Sequence, residues 1–302
     1  MKAHAVTDDL PDWVQYYPHP TSAKERRTSD DRHHFVEFDL DGKRLCFSVR
    51  DPMSRWRVRT LFEKEPETHY WLGSLPAGDV FYDIGANIGL YSIYATIMSG
   101  VRTFAFEPES QNFAGLHENI FLNDLFDRCT GWCLAFGEKP IEISHLALSE
   151  FHVGRSLHSF GGEAPESSLR QGCMALSLDH LVYDLGMEAP NHIKIDVDGN
   201  EAAIICGAKR LLTDPRLRSV VVEFNDVPET YSIMEAFRDA GFEISFDKLR
   251  ITRDGLRDAG EVKRLVAERR WFGNVLFSRD PALFDGARAV IARHLEAKGG
   301  TG

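Results

Sequence analysis

Two stretches of this chain carry residue types at a spacing that does chemistry. The first is Val80-Phe81-Tyr82-Asp83-Ile84-Gly85-Ala86-Asn87-Ile88-Gly89, an apolar run into a glycine turn. Roughly twenty residues later, Thr103-Phe104-Ala105-Phe106 ends on Glu107-Pro108. A glycine turn after one strand, with an acid at the tip of the next, is how an α/β sheet holds an adenosine-containing cofactor. The spelling of the turn narrows the choice. A dinucleotide turn of pattern G-x-G-x-x-G would have glycines at 85, 87 and 90, where this chain has Gly85, Asn87 and Leu90. The second of those glycines lets backbone approach a pyrophosphate, so Asn87 argues against one. No Gly-Lys-Ser/Thr follows for a phosphate loop. What remains is a turn and a helix N-terminus suited to a carboxylate. S-adenosylmethionine has that shape. On this reading Glu107 accepts hydrogen bonds from the ribose hydroxyls and Asp83 attracts the amine side of the methionine.

The second stretch is His192-Ile193-Lys194-Ile195-Asp196-Val197-Asp198-Gly199-Asn200-Glu201. Lys194, Asp196 and Asp198 share a face of an extended strand. Asp196 falls at its carboxyl end, beside the crevice where open α/β sheets bind ligands. Glu201 opens the next helix, where an acid suits the dipole. Methyl transfer from a sulfonium is an in-line displacement whose donor carries its own leaving group, so the protein mainly positions and desolvates. A neutral hydroxyl is a weak nucleophile, and a general base helps. Asp196 is the first catalytic candidate, Asp198 the second, and His145 or His158 the third, although a lone histidine is more often structural. Asp196 and Glu223, ending adjacent strands, would also suit a divalent cation that acidifies the hydroxyl. That metal reading is not the favoured one.

Elements to position these residues follow from the pattern. Residues 1 to about 34 read as a polar lead-in, with Trp13, Tyr16 and Tyr17 as an anchor. Phe35 to Val49 alternates about Asp41-Gly42 and predicts a hairpin. Val58 to Leu72 predicts a helix that Pro66 breaks. Strands at 80–84, 101–106, 141–148, 192–197 and 219–224 then alternate with helices at 87–99, 110–122, 201–212 and 228–240, the mark of a parallel sheet covered on both faces. Asp124 to Pro140 reads as an apolar insertion, Val153 to Gly172 as a Gly/Ser-rich loop or lid, and Ser177 as the N-cap of a helix to Leu185. Phe242 to Phe246 and Arg270 to Phe277 read as strands that pair antiparallel, and Pro281 to Lys298 as a terminal helix.

Taken together, three pieces resemble the FkbM-type family of S-adenosylmethionine-dependent methyltransferases. They are Asp83 to Gly89; Phe106-Glu107-Pro108 followed by Asn112, Leu116, Asn119 and Asn123; and Lys194 through Asp196, Asp198 and Gly199 to Glu201. Ala147-Leu148-Ser149, Leu178-Asp179 and Val222-Glu223 are smaller matches, and the resemblance covers about residues 56 to 278. The family usually has Glu where this chain has Asp198. The resemblance implies an α/β, Rossmann-like class I methyltransferase fold with a seven-stranded, mostly parallel sheet. It implies cofactor contacts from Asp83, the turn Gly85, Ala86, Asn87 and Gly89, Glu107 with Pro108, and Asp196, with Ala147 near the adenine. It also implies O-methylation of a hydroxyl on a sugar, glycan or related metabolite. The expected organisation is an N-terminal extension (1–75), the S-adenosylmethionine-binding domain (76–280) and a C-terminal helix and tail (281–302).

Composition sets outer bounds. The chain has 302 residues, 43% hydrophobic, with 35 Lys plus Arg against 46 Asp plus Glu, a formal charge of -11. That field repels nucleic acid, and the mixed runs Lys24 to Arg27 and Arg264 to Arg270 read as solvated faces. Five cysteines without a Cys-x-x-Cys pair argue against a disulfide framework or structural zinc. No signal-peptide core or apolar run of roughly twenty residues appears, so the expected setting is cytoplasmic with no membrane span. Competing readings are a non-catalytic adenosine-cofactor-binding module, an NAD-dependent oxidoreductase, disfavoured by Asn87 and Leu90, and a glycosyltransferase using Asp196-Val197-Asp198, which leaves the glycine turn unexplained.

Overall fold

The computed structural model describes residues 22–28, 33–148, 153–154, 159–161, 169–197, 199–224, 230–247, 251–252, 255–256 and 273–280. Trp13, Tyr16, Tyr17, His158, Asp198, Arg264 to Arg270 and the helix read over Pro281 to Lys298 lie outside the described residues.

Ser22–Arg27 (β1), His34–Leu40 (β2) and Lys43–Ser48 (β3) form an antiparallel sheet in that order. Asp41 and Gly42 make the β2–β3 turn at φ 49° and 75°, the positive values that a tight hairpin turn of this hand requires. The predicted hairpin is there, and β1 adds a strand from a stretch read as a loose lead-in. Pro52–Lys64 (α1) follows, its first amides held by the Asp51 side chain, which accepts from Met53 and Ser54 N–H at 2.8 and 2.9 Å. Pro66 starts a second helix, Pro66–Gly73 (α2), because a proline has no N–H to continue the first.

The remaining strands are Val80–Ile84 (β4), Arg102–Phe106 (β5), Cys129–Trp132 (β6), Ala135–Phe136 (β7), Ile141–Leu148 (β8), Ser159–Phe160 (β9), Leu169–Leu176 (β10), His192–Ile195 (β11), Ser219–Phe224 (β12), Glu243–Asp247 (β13), Ile251–Thr252 (β14), Gly255–Leu256 (β15) and Gly273–Ser278 (β16). Between them run Leu90–Ser99 (α3), Ser110–Leu122 (α4), Glu201–Cys206 (α5), Lys209–Leu212 (α6) and Thr230–Asp239 (α7). A seven-stranded sheet has the order β13-β16-β12-β11-β4-β5-β6. β12, β11, β4, β5 and β6 are parallel, and β16 runs antiparallel to both β12 and β13.

The third sheet strand is Cys129–Trp132, inside the stretch read as an insertion, and not Ile141–Leu148. β8 pairs antiparallel with β10 in a separate sheet of order β7-β10-β8-β9. The reason is visible in the alternation: Ile141 and Ile143 are exposed while Leu146 and Leu148 are buried, as in an antiparallel strand with one wet face, whereas strands covered on both sides read as continuous apolar runs. β6 sits at the edge, paired only with β5 in this sheet, so its sequence carries little apolar signal. The helix read over 201–212 is split after Cys206, at Gly207, where the Gly137 carbonyl leaves no space for a Cβ. The helix read from Ser177 is a wider turn over His180–Asp184, and Ser177 Oγ does accept the His180 N–H, at 3.2 Å.

Each face of the sheet has its own core. Phe81, Val221 and Leu276 pack with Phe38, Leu40, Phe47, Trp71, Tyr94 and Leu116 from the first sheet and α2 to α4. Val80, Tyr82, Ile193, Ile195 and Val222 pack with Ile204, Leu211 and Phe237 from α5 to α7. Side-chain amides tie the first sheet to the rest. Asn119 on α4 accepts the Ser48 N–H and donates to the Ile88 carbonyl, both at 2.7 Å. Asn123, one turn on, accepts Cys46 N–H at 2.8 Å and donates to Cys46 O at 2.7 Å.

At the amino end of the sheet, His192 is fully buried between Ser219 Oγ (2.7 Å) and Asp79 Oδ2 (3.0 Å), and Trp71 Nε1 donates to the same Ser219 hydroxyl at 3.0 Å. Burial pulls the imidazole pKa down to about 3, so the folded state holds it neutral. The unfolded chain binds this proton below about pH 6.5. The contribution to stability is therefore full above that pH and is lost as pH falls toward 3. Urea denaturation across this window should show wild-type stability falling more steeply than that of His192→Gln, by up to about 1.4 kcal/mol per pH unit. Equal slopes would show that His192 protonates freely in the native state.

Candidate active site

The glycine turn is a run of left-handed backbone: Gly85 at φ 82°, Asn87 at 51° and Gly89 at 79°. Asparagine is one of the few residues with a side chain that tolerates this region. Gly85 and Ala86 N–H both donate to Phe106 O at 3.0 Å, Asn87 N–H to Glu107 Oε2 at 2.7 Å, Ile88 N–H to Asn87 Oδ1 at 3.0 Å, and Gly89 N–H to Ala86 O at 2.8 Å. The amides expected to receive a carboxylate are thus satisfied within the fold, and the turn offers shape. Gly89 has no room for a Cβ against Leu116, and Gly85 none against the Asp196 carbonyl. Asp196 N–H donates to Ile84 O at 3.0 Å, so the tips of β4 and β11 are locked together.

Glu107 is 5% exposed. Its second oxygen accepts the Glu109 N–H at 2.8 Å. Burial pushes its pKa up to about 7, opposed by the Glu109 and Asn87 amides. Glu109 in turn caps α4, accepting from Gln111 and Asn112 N–H at 3.0 and 2.7 Å. The Pro108 carbonyl accepts from Gln171 Nε2 at 2.6 Å, and Ser110 N–H donates to Gln171 Oε1 at 2.9 Å. These bonds bring β10 against the Glu107 turn. Ala147 on β8 lies opposite Arg170 on β10.

Below the turn sits a charged floor. Lys194 is 1% exposed, in register with Asp83 on β4, and its Nζ donates to Asp196 Oδ2 at 2.6 Å, lying 4.9 Å above the Tyr91 ring. Burial alone would lower the Lys194 pKa, but Asp196, Glu65 and Asp83 outweigh it and raise it. Asp83 Oδ2 accepts from Ser92 Oγ at 2.5 Å, while its other oxygen is buried without a hydrogen-bond partner. Burial raises the Asp83 pKa, against the Lys194 charge. Glu223 on β12 faces Asp196, whose charge raises the Glu223 pKa, with burial and a hydrogen bond between the two carboxyls adding to it. Glu223 therefore holds its proton above the usual carboxylate range. Glu65, buried at the α1–α2 junction, accepts from Asn274 Nδ2 at 2.9 Å, and Asn274 is the register partner of Glu223. Four carboxylates (Glu65, Asp83, Asp196, Glu223) thus surround one ammonium.

A cleft opens over this floor, lined by Gly85, Ala86, Asn87, Tyr91, Lys194 and Asp196 on one side and by Trp56, Arg57, Thr60 and Leu61 of α1 on the other. Asp196 is a quarter exposed there. The sequence candidates Asp196, Gly85, Ala86 and Asn87 meet at the cleft, Gly89 and Glu107 brace its turn from behind, and Asp83 lies one layer beneath. Asp196 and Glu223 do end adjacent strands together, sharing a proton. Among the described residues no group of three or more His, Cys, Asp or Glu is placed to hold a metal ion. Glu201 opens α5 as expected and accepts the Gly199 N–H at 3.1 Å. His145 is exposed on β8, opposite Gly172, and does not line the cleft. Glu65 and the α1 wall went unread. The one local sign of Glu65 was an acid before Pro66 between apolar runs.

Gly85→Ala should destabilise the fold by about 3 kcal/mol, from left-handed strain plus collision with the Asp196 carbonyl. Urea denaturation reads this directly, and an unchanged midpoint would show that the two strand tips are not in contact.

The Methyltransferase FkbM domain pattern matches residues 83–244. That span holds the turn, Glu107, Lys194, Asp196 and Glu223, and leaves out β1 to β3, α1 and α2. The chain is similar to Hexuronic acid methyltransferase AglP of Haloferax volcanii, 24% identical over 219 residues, covering 72% of this chain and 85% of that protein. It is also similar to 31-O-demethyl-FK506 methyltransferase FkbM of Streptomyces tacrolimicus, 26% identical over 221 residues, covering 65% and 82%. Among solved structures, Methyltransferase FkbM from Methylobacillus flagellatus is 16% identical with a TM-score of 0.40, covering 68% of this chain, which spans 44% of that one.

Proposed function

The chain belongs to the FkbM methyltransferase family, and from that premise we propose that it moves a methyl group from S-adenosylmethionine to a hydroxyl of a sugar, glycan or related metabolite. The observation that carries the choice of donor is the floor of the cleft, where four carboxyl groups, Glu223 among them holding its proton, surround one ammonium. A cationic ligand is stabilised over such a floor, while a pyrophosphate would meet repulsion. The buried, unpartnered oxygen of Asp83 leaves acceptor capacity beneath the cleft, which suits a sulfonium compound with an amine. Two relatives named for methylation of a hexuronic acid and of a 31-O-demethyl compound support a hydroxylated acceptor.

Within this reading S-adenosylmethionine, when bound, supplies an electrophilic methyl on sulfur. Asp83, Gly85, Ala86, Asn87, Gly89 and Asp196 would hold its methionine end. Glu107 would take the ribose hydroxyls with the lone pairs its two backbone donors leave, and Pro108 and Ala147 would lie toward the adenine. Asp196 is the group in the cleft that can accept the hydroxyl proton, and Asp198 is the second candidate. Lys194 fixes the Asp196 carboxylate from below at 2.6 Å. Glu223, already protonated, donates to it from the side, so the pair orients one carboxylate and shares one proton. α1 covers the cleft opposite and reduces its water.

Calorimetry should give S-adenosylmethionine binding by the wild type and a loss of at least about tenfold in Glu107→Ala, from an unmade charge-assisted hydrogen bond. Binding of NAD in its place would overturn the choice of donor, and unaltered affinity in Glu107→Ala would remove the ribose role. With an acceptor in hand, Asp196→Asn should lower kcat by about 10²-fold or more at saturating donor. Full turnover would place the base elsewhere.

A further inference from the structure

Of the described residues lining the cleft, Trp56 is the large apolar one left in solvent, 46% exposed. The helix that carries it is fixed. Asp51 holds its first turn, and Val58, Leu61 and Phe62 bury the inner face in the core. Thr60, one turn on from Trp56, spends its hydroxyl on the Trp56 carbonyl at 3.0 Å. Arg57 beside it donates through Nε to the Gly154 carbonyl, and Gly154 N–H reaches Asn112 Oδ1 at 2.6 Å, so the wall is tied across to α4. The indole therefore faces the cleft on a rigid support, opposite Asn87 and Asp196.

An exposed indole over a charged floor asks for a ligand with one apolar face and a polar rim. A purely apolar acceptor would leave Lys194 and Asp196 desolvated and unmatched. A sugar ring meets both demands, with C–H groups toward the indole and a hydroxyl toward Asp196. We propose that Trp56 is the platform on which a pyranose acceptor lies, a specificity-determining residue supplied by an element outside the family-matched span 83–244. This rests on the methyl-transfer reading above.

The test measures S-adenosylhomocysteine formation with a panel of methyl pyranosides, neutral and uronic, for wild type, Trp56→Phe, Trp56→Leu and Trp56→Ala. Calorimetry of S-adenosylmethionine accompanies each protein. The expected result is turnover of at least one pyranoside by wild type. Trp56→Ala and Trp56→Leu raise its KM about tenfold with a smaller change in kcat, and Trp56→Phe restores it to within about threefold. Donor affinity is the same in all four. Trp56→Leu keeps apolar bulk without a flat ring and decides the matter if Trp56→Ala does not fold. An unchanged KM in Trp56→Leu overturns the platform. A wild type that binds S-adenosylmethionine but turns over no pyranoside overturns the pyranose platform and leaves the donor reading standing. A wild type that binds no S-adenosylmethionine overturns the methyl-transfer reading and the platform with it.

Discussion

The close approach of two strand tips governs this molecule. Asp196 N–H bonds to the Ile84 carbonyl, and the Asp196 carbonyl sits where a side chain at Gly85 would have to be. A parallel pair of strands normally diverges into its loops. Here the ladder is carried one residue beyond β11, and a glycine at left-handed φ lets the chain turn away in the smallest space available. The consequence is chemical. The Asp196 side chain is lifted onto the same face as Lys194 and Asp83, at the mouth of the sheet rather than inside it. The turn stays in place because its amides are bonded to Phe106, Glu107 and Asn87, and its Ile88 carbonyl to Asn119.

The charged floor follows from that placement and has an energetic logic. Burying an ammonium alone is expensive, and one carboxylate at 2.6 Å offsets part of the cost. Adding Asp83, Glu65 and Glu223 gives more negative charge than Lys194 can balance. The excess is relieved in two ways. Glu223 keeps its proton beside the Asp196 charge, and burial raises the Asp83 pKa as well. Donors are supplied as well, from Ser92 to Asp83 and from Asn274 to Glu65. After both measures one buried Asp83 oxygen still has no hydrogen-bond donor.

Much of this was legible in the chain itself. The turn residues, Glu107 and the Asp196–Glu223 pair are announced by type and by their place at strand ends, and Asn87 is read from the dinucleotide glycine spacing that it breaks. The parallel strands showed as unbroken apolar runs. What sequence could not supply was depth and register. Asp83 reads as a ligand contact, yet it lies inside a strand whose five residues are all buried, one layer below the cleft. Glu65 is brought to Lys194 by the packing of α1 and α2, a long-range event with no local periodicity. β6 has no apolar run because an edge strand with one partner need not be apolar, and the alternation of β8 marks a strand with one wet face without naming its partner.

The part of the chain before the matched span is no appendage. Phe38, Leu40, Phe47 and Trp71 share a core with Phe81, Val221 and Leu276 of the central sheet, and Trp71 bonds to Ser219 within it. Removing that layer would strip one face of the sheet and expose the Lys194 cluster to water, where its electrostatics weaken. Core packing and the proposed acceptor platform therefore meet in a single helix. The inward face of α1, Val58, Leu61 and Phe62, is constrained by the core. Its outward face at 56, 57 and 60 borders the cleft and is constrained only by what lies there. The side chains of that outward face lie outside the core, so they can change without disturbing the floor beneath.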